Sequence, residues 1–164
     1  MSLFELLKKL SEAPGVPGFE YSVSNVIQTE LKDAVNSIYT DKLGNLICVK
    51  EGLNKKSIMI AAHMDEIGLI VKHIDEKGFL RFAKLGGISD HLLLGSRVIV
   101  HTKKGPLYGV IGCKPIHLMK EDERKQLVTY DKMFIDIGAK SKDEAVKFGV
   151  KVGDPITLDR NLIQ

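Results

Sequence analysis

The chain has 164 residues, 44% apolar and 27% charged, with 24 basic against 21 acidic side chains and a net charge of +3. That is the composition of an ordinary folded protein, with length for one domain or two small ones. No apolar run nears the roughly 20 residues a membrane-spanning helix needs, so no membrane partner is expected. The basic doublets Lys55-Lys56 and Lys103-Lys104 sit near glycines, as hairpin tips do. They lack the clustering and interleaved aromatics of a nucleic-acid surface, so no nucleic-acid partner is expected either. Glu5 falls too early for a secretory signal. Cys48 and Cys113 lie in apolar, strand-like surroundings, which fits reduced core thiols in a cytoplasmic protein.

The first third reads as helix, helix, strand, strand. Leu3, Phe4, Leu6, Leu7 and Leu10 recur at helical spacing. Ala13-Pro14-Gly15-Val16-Pro17-Gly18 breaks that helix, since two prolines and two glycines in six residues cannot continue it. The spacing predicts a second helix from Glu20 to Ser37, burying Val23, Val26, Ile27, Leu31, Ala34 and Val35. A strand from Asn45 to Lys50 and a turn from Gly52 to Lys56 follow, with Asn54 suited to a left-handed conformation. The apolar run Ser57–Ala62 completes this part as a strand.

From Ile67 the grammar changes to short β-runs punctuated by glycine. Ile67–Ile74 and Phe79–Leu85 flank Asp75-Glu76-Lys77-Gly78, and Val98–Thr102 and Leu107–Ile111 flank Lys103-Lys104-Gly105-Pro106; both are hairpin signals. Met133–Ile137 and Pro155–Leu158 are two further strands. Between them Ser141-Lys142-Asp143-Glu144 has capping-box spacing and opens a helix that Gly149 closes. Residues 112–129 read as an irregular loop with one helical turn around Glu121–Gln126. Several short strands with regular turns suggest a small barrel or sandwich. Two units result, an α/β piece to about residue 65 and a β-rich unit from 66 to 160.

The segment richest in chemistry is Ala61-Ala62-His63-Met64-Asp65-Glu66-Ile67-Gly68. In open α/β sheets, ligands and catalytic groups gather beyond the carboxyl ends of strands. A histidine there with a carboxylate two residues on suits a metal ligand and its orienting partner, because a ligating imidazole needs its tautomer and direction fixed. From spacing alone, a structural histidine is the commoner outcome. His73, His91 and His101 lie within or beside β-runs and are expected to face solvent. His117 falls in the loop and reads as structural. Asp136, Asp143, Glu144 and Asp154 occupy strand, cap and turn positions.

In chain order, the motifs Gly15-Val16-Pro17-Gly18-Phe19-Glu20, Asp41-Lys42-Leu43-Gly44-Asn45-Leu46 and Ala62-His63-Met64-Asp65-Glu66-Ile67-Gly68 are joined by Gly86-Gly87, Leu94-Gly95-Ser96-Arg97-Val98, Lys114-Pro115-Ile116-His117-Leu118 and Ile135-Asp136-Ile137-Gly138-Ala139. The ordered set resembles the metallo-aminopeptidases of metallopeptidase family forty-two, the tetrahedron-forming enzymes, some of them called endoglucanases. The resemblance implies an α/β N-terminal piece of a zinc-peptidase-like catalytic domain (1–65), a small β-barrel dimerisation domain inserted in it (66–160), and the start of the return to the catalytic domain (161–164). It implies that His63 is a ligand in a site of two divalent metal ions, zinc or cobalt. Asp65 is then the catalytic-site carboxylate that orients it. The substrate would be a peptide trimmed from its N-terminus, and the barrel would join copies into a homo-oligomer.

In that family the remaining ligands and the general base follow the barrel, so the chain taken alone is expected to be inactive. Two other readings compete. One is a non-catalytic β-barrel that self-associates. The other is a glycoside hydrolase, which would need a pair of carboxylates flanking a sugar that the sequence does not nominate.

Overall fold

The protein's structure, a computed structural model, describes residues 2–54 and 56–163. Lys55 of the expected 52–56 turn, and Gln164, lie outside them. The chain forms two compact units: one holds the chain up to Asp65 together with the segment from Asn161 onward, the other Glu66–Arg160. No helix among the described residues is long and apolar enough to cross a membrane.

In the first unit, helix α1 (Leu3–Glu12) starts at Ser2, whose hydroxyl accepts from the Glu5 N–H while the Glu5 carboxylate accepts from the Ser2 N–H. That reciprocal cap satisfies two amides the helix cannot pair internally. Helix α2 (Tyr21–Leu31) is shorter than its periodicity predicts. The residues after it turn instead into β1 (Ser37–Thr40), which sequence reading missed and which pairs antiparallel with β2 (Leu46–Val49). Ile38, Tyr39 and Thr40 are β-branched or aromatic and gain more from a paired strand than from a frayed helix end. Of the expected α2 stripe, Val23 is buried, whereas Val26, Ile27, Leu31 and Val35 are half-buried and Ala34 is exposed. Asp41 closes the β1–β2 turn by accepting from the N–H groups of Leu43 and Asn45.

The strand expected over Ser57–Ala62 does not form. Ile58, Met59 and Ile60 are 92%, 89% and 93% exposed, and no strand among the described residues pairs with them. An all-apolar run is the pattern of a strand covered on both faces; without neighbours to bond and cover it, it stays extended. Asn54 is not left-handed either, since the positive-φ residues among those described are all glycines.

The second unit is a closed six-stranded barrel. Its strands are β3 (Gly68–Ile74), β4 (Leu80–Leu85), β5 (Arg97–Thr102), β6 (Gly105–Gly112), β7 (Phe134–Asp136) and β8 (Pro155–Leu158), in the order β3-β4-β7-β6-β5-β8, each antiparallel to its neighbours. The β5–β6 hairpin is tighter than expected, because Thr102 pairs with Gly105 and only Lys103-Lys104 remain in the loop. Leu69, Leu80, Val98, Val100, Ile135 and Ile156, all 0–1% exposed apolar side chains with Met133 and Ile111, fill the interior. A six-strand barrel is narrow enough for side chains to close it. On β3 the inward residues run Leu69, Val71, then Ile74, and a bulge between Val71 and His73 supplies the change of phase.

Helix α4 (Lys142–Phe148) begins at Ser141, whose hydroxyl accepts from the Glu144 N–H. The Glu144 carboxylate reaches one residue further back than a capping box would, to the Lys140 N–H. Gly149, with φ of 104°, ends the helix. The loop after β6 holds a 3₁₀ turn at Ile116–Leu118 and the single-turn helix α3 (Glu121–Arg124).

Three side chains depart from expectation. Cys48 and Cys113 are free but only half-buried rather than core residues, because Cys48 sits on the open two-stranded sheet and Cys113 just past the end of β6. His101 does not face solvent: its Nε2 lies 2.8 Å from the Thr157 hydroxyl across the β5–β8 seam, and burial holds its pKa below the ordinary value.

Candidate functional site

The extended segment after Ser57 delivers His63 and Asp65 side by side. Nδ1 of His63 lies 3.0 Å from Oδ1 of Asp65 and 3.1 Å from the Asp65 carbonyl oxygen. With the proton on Nδ1, the ring donates to the carboxylate, and Nε2 presents its lone pair away from it. That division of the two nitrogens is what a ligating imidazole requires. Both groups are accessible, with side-chain exposures of 84% and 42%. The two-residue spacing suffices for this because the carboxylate folds back onto the ring within one stretch of backbone.

Sequence reading missed what backs this segment. Gly15 is buried, and a β-carbon there would come within 2.6 Å of Val23 Cγ2 and 3.3 Å of the Met64 carbonyl oxygen. The bare backbone at Gly15 therefore packs between α2 and the residue linking His63 to Asp65. The signal was present in Gly15-Val16-Pro17-Gly18, but a close approach between distant segments leaves no periodicity.

Other candidates are not brought to the pair. His73, His91 and His117 are exposed on the barrel unit, as are Asp136 and Asp143. Asp154 is 2% exposed and accepts from the Lys151 N–H, capping the turn before β8. Among the described residues no three of His, Cys, Asp and Glu cluster as a metal would need. The donors present fit one place in a metal's shell, that of an oriented imidazole, and not a whole shell.

Comparison with known proteins supplies the family. A lysyl aminopeptidase of Pyrococcus furiosus is 40% identical over 152 residues, 92% of this chain and 44% of its own. Among solved structures, a TET aminopeptidase from a marine sediment archaeon of the Thaumarchaeota superposes with a TM-score of 0.93 at 43% identity, covering 98% of this chain and 46% of that one. The TET1 peptidase of Pyrococcus horikoshii, which can assemble into a tetrahedron or a large octahedral shell, gives 0.85 at 43% identity, covering 96% and 47%. The chain thus spans less than half the length of these relatives. The profile of the M42 glutamyl aminopeptidases matches residues 44–164, and with identities of this size the chain belongs to the M42 family.

Proposed function

We propose that residues 1–65 and 161–164 belong to the catalytic α/β domain of a metal-dependent aminopeptidase, and that the barrel of residues 66–160 is its dimerisation domain. The observation that carries this reading is the His63–Asp65 hydrogen bond, found in a chain of a peptidase family. His63 would bind one of two divalent ions, zinc or cobalt, through Nε2. Asp65 holds the Nδ1 proton, fixes the tautomer and keeps the ring from turning. Ions of this kind activate a water and polarise the scissile carbonyl. The chain's own part is to present one neutral, aimed imidazole. Its substrate is a peptide with a free N-terminus, its setting is the cytoplasm, and copies associate through the barrel as a homo-oligomer. The 164 residues alone are inactive, because a single oriented ligand does not build the two-ion site.

The test is hydrolysis of an aminoacyl anilide, in zinc or cobalt, by a polypeptide extended to the length of its relatives. His63→Ala abolishes turnover there, and Asp65→Asn lowers it by about 10–100-fold, the usual loss on removing a ligand's carboxylate partner. Near-normal activity in Asp65→Asn removes the orienting role. Turnover by the 164-residue chain that His63→Ala abolishes contradicts its inactivity. An extended polypeptide that associates but never turns over would favour the self-association module.

A further inference from the structure

Among the described residues, five of the six barrel seams carry two or more backbone pairs, and one carries a single pair. β3 and β4 pair from Gly68↔Leu85 to Ile74↔Leu80, and β5 and β6 from Arg97↔Val110 to Thr102↔Gly105. The β6–β7 and β5–β8 seams have three pairs each. The β3–β8 seam has two, extended by Val71 N–H to the Asp154 carbonyl (3.0 Å) and Gly153 N–H to the Val71 carbonyl (2.8 Å). Between β4 and β7, the described residues make one pair, Leu80↔Ile135, with no such extension.

Side chains of β4 span the remainder of that seam. Nη1 of Arg81 donates to the Met133 carbonyl at 3.1 Å, and its guanidinium carbon sits 5.6 Å from the centre of the Phe134 ring. Phe79 packs on the same ring at 4.4 Å between centres. Toward the other end of β4, Nζ of Lys84 donates to the Ile88 carbonyl and to Oδ1 of Asp90, both at 2.9 Å, and lies 4.8 Å from the centre of the Tyr130 ring. Oδ2 of Asp90 accepts from the Tyr130 N–H at 3.2 Å. The hydrogen bond from Lys84 holds the Asp90 carboxyl below its ordinary value.

We infer that the β4–β7 seam is the barrel's opening line, with residues 130–136 a strap that Arg81 and Lys84 latch onto β4. Releasing it costs one bridging pair, a few side-chain bonds and the burial of Met133 and its neighbours along the seam, and leaves every other ladder intact. The closed ring becomes an open sheet in the order β4-β3-β8-β5-β6-β7. The strap carries the end of the irregular 113–129 loop with it, and uncovers Met133.

Met133 reports the event, because it is 1% exposed in the closed barrel while Met59 is 89% exposed. A buried thioether is shielded from peroxide until it is uncovered. The experiment measures sulfoxide formation at Met133 against Met59 in the whole chain, alongside hydrogen exchange of residues 97–112 as a monitor of global unfolding. Arg81→Leu, which removes the bond to the Met133 carbonyl, raises Met133 oxidation by about tenfold, and Lys84→Leu, which takes the ammonium off the Tyr130 ring, raises it by about threefold, while exchange over 97–112 stays unchanged. Unchanged oxidation overturns the latch. So does oxidation that rises only in step with exchange over 97–112. If Arg81→Leu does not fold, Lys84→Leu, a more peripheral change, decides alone.

Discussion

Replacing Gly109 with alanine adds one methyl group to the barrel interior at a place with no room for it. A β-carbon there would lie 2.7 Å from Cγ2 of Ile135, 3.0 Å from the Asp136 carbonyl oxygen and 3.1 Å from Cγ2 of Ile137. Carbon atoms pack best about 3.5–4.0 Å apart, so Ile135 would have to retreat by nearly 1 Å. Ile135 is fully buried, and Asp136 is pinned by its pairing with Val110. Neither neighbour can give way cheaply, which puts the overpacking cost near the upper end of its range, about 3 kcal/mol. Two gains offset part of it: about 0.8 kcal/mol for the buried methyl and roughly 0.6 kcal/mol from restricting the unfolded backbone. The net loss is then about 1–2 kcal/mol, a fall of roughly 3–6 °C in Tm for a chain of this size. Calorimetric melting measures it, with hydrogen exchange over 97–112 confirming that the barrel is the unit affected. Gly87→Ala is the control, since nothing lies within 4 Å of its β-carbon position and its φ is not left-handed; its Tm stays level or rises slightly. A Gly109→Ala protein that melts at or above the parent temperature would refute the packing argument.

Other outcomes follow from single contacts. Ser141→Ala removes the acceptor for the Glu144 N–H and lowers barrel stability by about 1 kcal/mol in urea unfolding, whereas Ser141→Asp preserves it; equal losses in both would mean the cap is idle. Burial depresses the pKa of His101 below 6.5, so the folded chain binds that proton less readily than the unfolded chain. Its contribution is therefore complete above that value and is lost as pH falls through it toward the lower folded pKa. The stability difference between the parent and His101→Gln accordingly shifts against the parent between about pH 7.5 and 5.5; a difference constant over that interval would show that the histidine does not titrate differently on folding.

Alternation and turn chemistry were enough to locate the two barrel hairpins, β8 and helix α4, because each is specified by residues adjacent in sequence. Asp75 illustrates this: its carboxylate accepts from the N–H groups of Lys77 and Phe79, and Gly78 supplies the positive φ. The strand order was not legible. β7 enters between β4 and β6, and β8 between β5 and β3, and no periodicity names a strand's neighbours. The two strand errors have one cause. Ser37–Thr40 becomes a strand because Leu46–Val49 is there to pair with it, whereas Ser57–Ala62 has stronger strand character and no pairing strand among the described residues. In the site, the meeting of His63 with Asp65 could be read from their spacing, since both lie on one short stretch. Gly15, which backs that stretch from 49 residues away (64 − 15), could not.

The chain's return to its first unit bears on the order in which it folds. The Leu162 N–H donates to the Glu12 carboxylate across 150 residues of sequence. For a flexible chain, the length-dependent part of closing such a loop is about 4–5 kcal/mol, far more than one exposed hydrogen bond returns. Once Glu66–Arg160 has condensed, that stretch is a rigid body and the flexible length left to close is roughly a third of the original, which lowers the closure cost by about 0.9 kcal/mol. The barrel thus favours the joining of the first unit's two ends without touching either, and a fault in the barrel core weakens the hold on residues 161–163 by that same amount through chain entropy alone.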